Sequence, residues 1–520
     1  MRLCDRRPPP ARPWPGPARR ALAAAASALP RGLGPALGLV AAALLGACAT
    51  ATAPLQPPGA AAAPPAWQQA PAGSAAAERV PEAWWAELGD AQLQRLITQA
   101  EQQAPDLRTA LVRLREARAR QALAEAGRGA SVTGSLSAAR SRSSAEAGSG
   151  RSSSLYDAGF DASWELDLFG RLQSGVDAAV ADTTAAAAAH GDALVTLRAE
   201  VARQYVALRG LQAQQAAAEA NLALLADTAQ IAAWRSQAGL ASTLDVDAAD
   251  ASRDQTRAQA AVLAAGVTSA RQQLELLLGL APGALAAELT AARPVPALPA
   301  RVALPIPADT LRQRADVRAA AAQWQAEAGR SAVAQANLKP RLTLSGSIGL
   351  QALSLGALGD GAMGSAVAGL TAPIFDAGRL RATLAAQQAV QDRYAIAYEQ
   401  AVLGALTEVE SALATLAGRR AQVQALDTAA RSARQVATLA RLRYDSGLID
   451  FRAVLDAQRT ALGLDDSLAG ARADALAAWI ALYKALGGGW REPADAPGAT
   501  SSLPSPTADA ALAAARGHQP

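Results

Sequence analysis

The sequence predicts a mainly α-helical protein that also carries membrane-type β-strands. Aromatic residues make up 4% of the 520 residues and charged residues 18%, and alanine is abundant throughout, a composition that suits long, closely packed helices. Short segments in each half of the chain alternate apolar and polar residues with a period of two, as strands do. The two halves also repeat each other, which indicates a duplicated architecture.

The charge and the metal-binding residue types exclude several classes of function. The formal net charge is only +4, and several of the arginines lie in the first twenty residues, so nucleic acid is not expected as a partner. The chain has two cysteines, Cys4 and Cys48, and two histidines, His190 and His518, which are far apart in sequence. They predict no metal site, no disulfide framework and no cofactor.

The N-terminus has the pattern of an export signal, which we place at residues 1–47. A basic stretch precedes the apolar run 33–47, which is too short to span a bilayer. This run ends in Leu-Gly-Ala-Cys, which resembles a lipobox, so we predict lipidation of Cys48; the alternative is a small-residue cleavage site with an incidental cysteine. Residues 48–80 are rich in Ala, Pro and Gln and are predicted to be the lipidated N-terminus and a flexible linker.

Helical periodicity covers most of the remaining chain. One predicted helix, 171–237, would span on the order of 100 Å at about 1.5 Å per residue. The predicted blocks are about 90–128, 171–237, 241–279, 307–336, 377–445 and 449–486.

An internal repeat divides the chain into residues 81–300 and 301–489. The helix that opens at Asp106 recurs at Asp316, 210 residues later. Two further pairs recur at an offset of 208 residues: Gly170-Arg171 with Gly378-Arg379, and Gly239-Leu240 with Gly447-Leu448. Residues 490–520 fit no element and are predicted to be a disordered tail.

Each half contains two predicted strands, about 131–140 and 156–168 in the first half and about 341–351 and 364–374 in the second. Their length of about ten residues and their alternation fit a barrel wall between lipid and water. A half-buried strand of a soluble protein would look similar. The membrane is favoured because Ser/Gly-rich loops join the strands at one end and long helices follow at the other.

Four strands per chain cannot close a barrel in lipid without leaving unpaired backbone groups at the sheet edges. Two copies would give eight strands, whose interior is filled by side chains, whereas three copies give twelve strands and leave an aqueous lumen. A homotrimer is therefore predicted. A rod-like spacer without a lumen is the alternative, but a spacer has no need for alternating strands.

Several motifs resemble the outer-membrane factor (TolC-like) family, in its lipoprotein branch. They are WELDLFGR at 164–171, DVRAA at 316–320, PIFDAGR at 373–379 and LDAQ at 455–458. The resemblance implies a trimer with a shared 12-stranded outer-membrane barrel, a long α-helical barrel in the periplasm, and a belt that includes residues 280–305. It also implies a passive, non-enzymatic exit duct whose partners are a periplasmic adaptor, an inner-membrane RND transporter and outer-membrane lipid. Ala315 departs from the family, which usually has proline there.

The same resemblance implies a periplasmic gate just after the glycine turns. The candidate residues are Asp245, Asp247, Arg452 and Asp456. Three-fold symmetry would turn one carboxylate into a ring of three, which attracts cations at a constriction. Ala453 stands where some relatives carry a second acid, and Asp456 could instead be a solvated or helix-capping residue.

The two Gly-Arg pairs, Gly170-Arg171 and Gly378-Arg379, are interpreted as structural, because a strand-to-helix junction needs a tolerant backbone. We expect their arginines to bond Asp167 and Asp376. The G-x-G-x-x-G match at 359–364 leads into a strand rather than a helix, so it is not a dinucleotide site. Two other functions share these features: a duct for type I protein secretion, and a non-conducting structural lipoprotein.

Overall fold

The computed structural model describes most of the chain between residues 64 and 490. The predicted signal 1–47, Cys48 and the tail from residue 491 lie outside the described residues. The described ranges are 64–70, 75–76, 80–142, 144, 146, 150 and 152–490.

The elements follow in chain order. The first seven are β1 (Ala75–Ala76), α1 (Ala91–Gln103), α2 (Pro105–Ala126), β2 (Ser131–Arg142), β3 (Ser152–Leu166), α3 (Arg171–Gln237) and α4 (Thr243–Leu277). They are followed by α5 (Ala286–Leu289), β4 (Ala303–Leu304), α6 (Pro307–Gln313), α7 (Ala315–Ala336), β5 (Arg341–Ala352), β6 (Ala362–Thr371), α8 (Arg379–Asp445) and α9 (Phe451–Ala485).

The helix lengths confirm the duplication. Helices α2 and α7 each have 22 residues, α3 and α8 each have 67, and α4 and α9 each have 35. The long helices pack mainly along their neighbours in the repeat: α3 contacts α4, α7, α9 and α2, and α8 contacts α9 and α7. A helix of 67 residues is about 100 Å long, as the sequence predicted.

The long strands form one antiparallel sheet with the order β2-β3-β5-β6. Ser131 faces Ser163, Ser163 faces Ser345, and Ser345 faces Val367. Because facing residues share the same parity throughout, all even-numbered side chains lie on one side of the sheet. Strands β2 and β6 are its edges and have no further strand beside them in the described chain.

Two predicted helical blocks were wrong, because 90–128 and 307–336 are each broken near one residue. Ala104 has an extended ψ of 126°, imposed by the proline that follows it. Arg314, at the equivalent position 210 residues later, has a ψ of 124° although Ala315 follows it. Side-chain hydrogen bonds stabilise the extended backbone there, because the Arg314 guanidinium donates to Asp316, to Glu408 and to the carbonyl of Ala485.

An aromatic core lies where α9 ends against the segment before α1. Trp84 and Trp479 are 1% and 0% exposed, and their ring centroids are 5.6 Å apart. The ring centroid of Tyr483 lies 4.3 Å from that of Trp479, with the two rings tilted by 42°. The segment between α4 and α6 adds Leu285, Leu289 and Val302 to the same core.

Residues 64–70 are docked on the helices, so this part of the predicted linker is not a free tether. Trp67 is 7% exposed, and its indole nitrogen donates to the carbonyl of Pro305 at 2.8 Å. The backbone N–H groups of Gln68 and Gln69 donate to the Glu410 carboxylate at 2.7 and 3.0 Å. Burying one large aromatic side chain and satisfying one carboxylate fixes the segment.

Helix α8 contains an 18-residue stretch with a mean hydropathy of 1.3, long and apolar enough to cross a membrane, of which 28% is buried within the described chain. One such helix does not establish a transmembrane helix, because a helix that packs against another chain has the same composition.

Candidate functional site

The β2-β3-β5-β6 sheet has one apolar face and one polar face, and both are largely exposed. On the even-numbered face, Phe160, Ile348 and Leu370 are 59%, 67% and 68% exposed. On the odd-numbered face, the hydroxyls of Ser347 and Ser365 are 2.8 Å apart. An apolar face of this size is not left in water by a soluble protein, so it needs lipid or a partner against it. The sheet can therefore act as a wall between lipid and water.

The predicted junction glycines lie at the N-termini of the two longest helices. Gly170 and Gly378 are the N-cap residues of α3 and α8, with φ of +73° and +83°. Side chains with a Cβ are strained at these angles, which agrees with the structural role predicted for both glycines. Two aspartates satisfy the first free N–H groups: Asp167 accepts from Gln173, and Asp376 accepts from Gly378 and Leu380.

The expected arginine contacts at these junctions were wrong. Arg171 does not bond Asp167; its guanidinium makes a two-point contact with Glu165, at 2.9 and 2.7 Å. Asp167 is already engaged by the helix N-terminus, which leaves Glu165 as the available carboxylate. The residue 208 positions after Glu165 is Pro373, so Arg379 has no corresponding partner, and the structure joins it to no carboxylate among the described residues.

The glycine turns at the other end of the long helices have the same geometry in both halves. Gly239 and Gly447 have φ of +73° and +72°. The N–H of Leu240 donates to the carbonyl of Arg235 at 2.8 Å, and that of Leu448 donates to Arg443 at 2.9 Å. This is the Schellman pattern, in which a glycine ends a helix and satisfies its last carbonyls.

The tips of the two helical hairpins, α3-α4 and α8-α9, pack against each other. The Arg235 guanidinium lies 4.6 Å from the centroid of the Tyr444 ring, which lies 5.4 Å from Phe451. Leu225 and Leu455 belong to the same buried cluster. The gate candidates therefore belong to one packed unit rather than to two independent tips.

Asp245 serves as a helix cap. Its carboxylate accepts from the backbone N–H and the hydroxyl of Ser242, and the Ser242 hydroxyl accepts from the N–H of Asp245. This reciprocal capping box stabilises the start of α4. A carboxylate committed in this way is less free to face a lumen.

The other gate candidates are exposed on the helix surface. Asp247, Arg452 and Asp456 are all exposed, and within the described residues no ion pair joins Arg452 to Asp456 or either of them to the acids of the first half. Asp450, not Asp456, caps α9, because it accepts from the N–H of Ala453 at 2.9 Å. Asp456 is therefore not the capping residue of α9. The interpretation of Asp456 as a solvated surface residue remains open.

A buried polar cluster around Arg209 was missed by the sequence analysis. Arg209 is 0% exposed and donates to Gln92, Gln212 and the carbonyl of Ala291. These bonds tie the segment after α5 to α1 and α3. The sequence gives only a weak signal for this cluster, because Gln204, Arg209 and Gln212 lie in a stretch of α3 that also carries the exposed Arg203.

Buried tyrosines lie beside this cluster and in the aromatic core. The hydroxyl of Tyr205 donates to Asp90 at 2.6 Å. Burial raises the pKa of Tyr205 and of Tyr483 to about 12.

A charged cluster surrounds Arg314. Burial acts to raise the pKa of Asp316, but the hydrogen bonds and charge of Arg314 outweigh it and hold that pKa below its ordinary value. Burial raises the pKa of the nearby Asp192, and the charge of Asp316 adds to the rise. The Arg314 contacts thus join α7, α8 and the end of α9.

Comparisons with known proteins agree on one family. The family described as outer membrane efflux protein matches residues 96–280 and 306–488. The pyoverdine export outer membrane protein OpmQ of Pseudomonas putida is 33% identical over 459 residues, covering 87% of this chain and 96% of that protein. The outer membrane protein OprJ of Pseudomonas aeruginosa is 32% identical, covering 79% and 86%. Among solved structures, the outer-membrane channel OprN superposes with a TM-score of 0.79 at 32% identity, covering 84% of this chain and all of that one.

Proposed function

Because the chain belongs to the outer membrane efflux protein family, we propose that it is the outer-membrane channel subunit of a tripartite efflux system. It offers a passive exit from the periplasm to the outside of the cell for small molecules that an inner-membrane transporter pumps. It catalyses no reaction. The observation that carries this proposal is the exposed two-faced sheet, whose strands continue into two 67-residue helices.

A conduit needs more than one copy of the chain. The four strands leave β2 and β6 as open edges, and unpaired backbone groups in lipid cost several kcal/mol each. Three copies would supply twelve strands and a lumen wide enough for water. We therefore propose a homotrimer in the outer membrane, with the helices reaching into the periplasm.

A lipid anchor at Cys48 fits this location. We propose that the export signal is removed and that Cys48 becomes the lipidated first residue, as the Leu-Gly-Ala-Cys sequence suggests. Mass spectrometry of the N-terminal peptide tests this, with Cys48→Ser as the comparison. An unmodified Cys48 in the mature protein would contradict it.

The partners are a periplasmic adaptor and an RND transporter. Support comes from the hairpin tips, where Leu240, Leu244 and Leu448 are 70%, 74% and 72% exposed and offer apolar contacts. Affinity purification of the chain after cross-linking in cells tests this pairing. Recovery of an RND transporter and its adaptor supports the efflux duct, whereas recovery of an ABC exporter would favour the type I secretion duct.

Asp247 and Asp456 are the acidic gate candidates that are exposed and cap no helix, whereas Asp245 belongs to a capping box, and we propose Asp456 as the gate carboxylate of the second half. In a trimer it would form a ring of three carboxylates at the constriction. We expect Asp456→Asn to lower the preference of the channel for cations, as measured from reversal potentials in planar bilayers.

The matched control for this experiment is Glu219→Gln, which removes an exposed carboxylate from α3 far from the tip. It should leave the cation preference unchanged. If both substitutions had the same effect, the carboxylate of Asp456 would have no special place in the channel.

A further inference from the structure

We infer that β6 of one protomer pairs with β2 of the next in one particular register, in which Leu370 faces Leu136 of the neighbouring copy. The inference rests on the proposed homotrimer and adds to it the alignment of the two open sheet edges. It follows from the repeat, whose offsets can be checked against strand pairs within one chain.

The check uses the two hairpins. The first strand of each half is related to its counterpart by 210 residues and the second strand by 208. Ser131 faces Ser163 in the β2-β3 hairpin. Moving these residues by 210 and 208 gives Arg341 and Thr371, and these two face each other in the β5-β6 hairpin. The two hairpins are therefore equivalent in register.

The same offsets applied to the β3-β5 pair give the pair between copies. Ala162 of β3 faces Gly346 of β5. The residue 208 positions after Ala162 is Leu370 of β6, and the residue 210 positions before Gly346 is Leu136 of β2. By the same step, the observed pair Leu166 and Leu342 gives Ile374 facing Val132 of the neighbouring copy.

The chemistry of the two edges agrees with this register. Leu136, Leu370 and Ile374 are 82%, 68% and 93% exposed in the single chain, and the pairing sets them on the same apolar face. On the polar face it puts Ser365 opposite Ser141 of the neighbouring copy. Serine pairs of this kind already occur within the chain, between Ser141 and Ser153 and between Ser347 and Ser365, at 2.9 and 2.8 Å. A slip of one residue would turn the leucines to the polar face.

A slip of two residues keeps the faces matched, so the stagger of the strands must decide against it. Passing from Ser131 across Ser163 to Ser345 advances 214 residues, four more than the repeat offset of 210. The inferred register gives the same four-residue advance from β5 across β6 to β2 of the neighbouring copy. A two-residue slip would make the advance uneven around a closed sheet, whose tilt and stagger are linked.

Disulfide trapping between copies tests the register. The first in-register pair is the double variant Leu136→Cys with Leu370→Cys, whose intermolecular disulfides would give a covalent trimer on non-reducing gels. The matched controls keep Leu136→Cys and move the second cysteine by two residues, to Ala368→Cys or Ala372→Cys. Facing residues have Cβ atoms about 5 Å apart, within reach of a disulfide after small shifts, whereas diagonal neighbours are about 7 Å apart.

The pair Ser137→Cys with Gly369→Cys is made in parallel, because hydrogen-bonded and non-hydrogen-bonded positions alternate and differ in disulfide geometry. The unsubstituted protein gives the background, because Cys48 remains after the proposed removal of the signal that contains Cys4. We expect one of the two in-register pairs to cross-link about fivefold or more above both controls. Preferential cross-linking of a control pair would overturn the register and leave the trimer intact. A monomeric protein by native mass spectrometry, with no cross-linking in any variant, would overturn the trimer as well.

Discussion

At the scale of single residues, Arg314 interrupts a helix in the second half of the chain, as Pro105 does in the first half. Both positions break a helix, but the second break depends on hydrogen bonds from one guanidinium to Asp316, Glu408 and the carbonyl of Ala485. The bonds cross from α7 to α8 and α9. Removing the side chain should therefore loosen three helices together.

We predict that Arg314→Gln lowers the free energy of unfolding by about 2 kcal/mol, because the buried guanidinium is lost and Asp316, Glu408 and the carbonyl of Ala485 lose their shared donor. The measurement is the thermal unfolding midpoint of the purified protein in detergent. Arg312→Gln is the control: its ion pair with Asp309 is exposed and should contribute less than about 0.5 kcal/mol. Equal effects of the two substitutions would contradict a special role for Arg314.

The buried tyrosines predict a loss of stability at alkaline pH. Because burial raises the pKa of Tyr205 and Tyr483 to about 12, the folded chain keeps both protons where the unfolded chain, near the ordinary value of 10.0, has begun to lose them. This contribution is complete below about pH 10 and is lost as the pH rises through about 12.

The unfolding midpoint should accordingly fall between about pH 10 and pH 12, and fall less steeply in Tyr483→Phe, which keeps the ring and removes the ionisable hydroxyl. Tyr394→Phe, at a partly exposed position, is the matched control. A midpoint whose alkaline fall is the same in all three proteins would show that buried Tyr483 does not contribute.

Residue-level roles were the least predictable part of the site. The sequence located Asp245 and Asp456 near the glycine turns, but only the structure shows that Asp245 belongs to a capping box and that Asp450 caps α9. Likewise, Arg171 selects Glu165 because the helix N-terminus already engages Asp167. Such choices depend on which hydrogen-bonding groups remain free after folding, and sequence spacing does not contain that information.

At the scale of elements, close helix packing depends on small residues at particular contacts. A Cβ added at Gly210 of α3 would lie 2.6 Å from the Cβ of Ala473 on α9, whereas a Cβ added at Gly463 of α9 would have nothing within 4 Å. Close packing between α3 and α9 therefore requires a glycine at position 210, whereas no neighbour in the described chain requires one at position 463.

We predict opposite effects for the two alanine substitutions. Gly210→Ala should destabilise the protein by about 1–3 kcal/mol, because α3 and α9 must separate. Gly463→Ala should stabilise it by about 0.5–1 kcal/mol, because alanine favours the helix and meets no neighbour. Unfolding midpoints of both variants are compared with the parent, and stabilisation by Gly210→Ala would contradict the observed packing.

Most elements could be predicted because their periodicity is long and uninterrupted. The predicted helix 171–237 coincides with α3, and 377–445 differs from α8 by two residues at its start. The break at Arg314 could not be predicted, since it depends on Glu408 and Ala485, about 90 and 170 residues further along. The docking of residues 64–70 was missed for the same reason: Glu410 is 342 residues from Gln68.

At the scale of the whole molecule, the proposed trimeric channel rests on the internal repeat and on the four long strands of each chain. Duplication gives two hairpins of the same register, each followed by a helix of the same length. In the proposed trimer, one chain therefore supplies one third of a closed barrel. The sequence was sufficient to predict the duplication and the strands, because the offsets of 210 and 208 residues and the period-two alternation can be seen without knowledge of tertiary contacts. Such an assembly would cover the open edges β2 and β6 of the sheet and the exposed apolar surface of α8, and it would leave the two faces of the sheet to lipid and water.

The most direct test of the central claim is to measure mass and conductance on the same purified preparation. Native mass spectrometry should give a trimer, and planar bilayers should show discrete conductance steps of one size. The variant with both Arg452→Ala and Asp456→Ala is measured beside the parent, so that a closed gate is not mistaken for the absence of a lumen. Trimers that conduct in either protein are the predicted result; a monomer, or a trimer that conducts in neither protein, would contradict the account and favour a non-conducting structural lipoprotein.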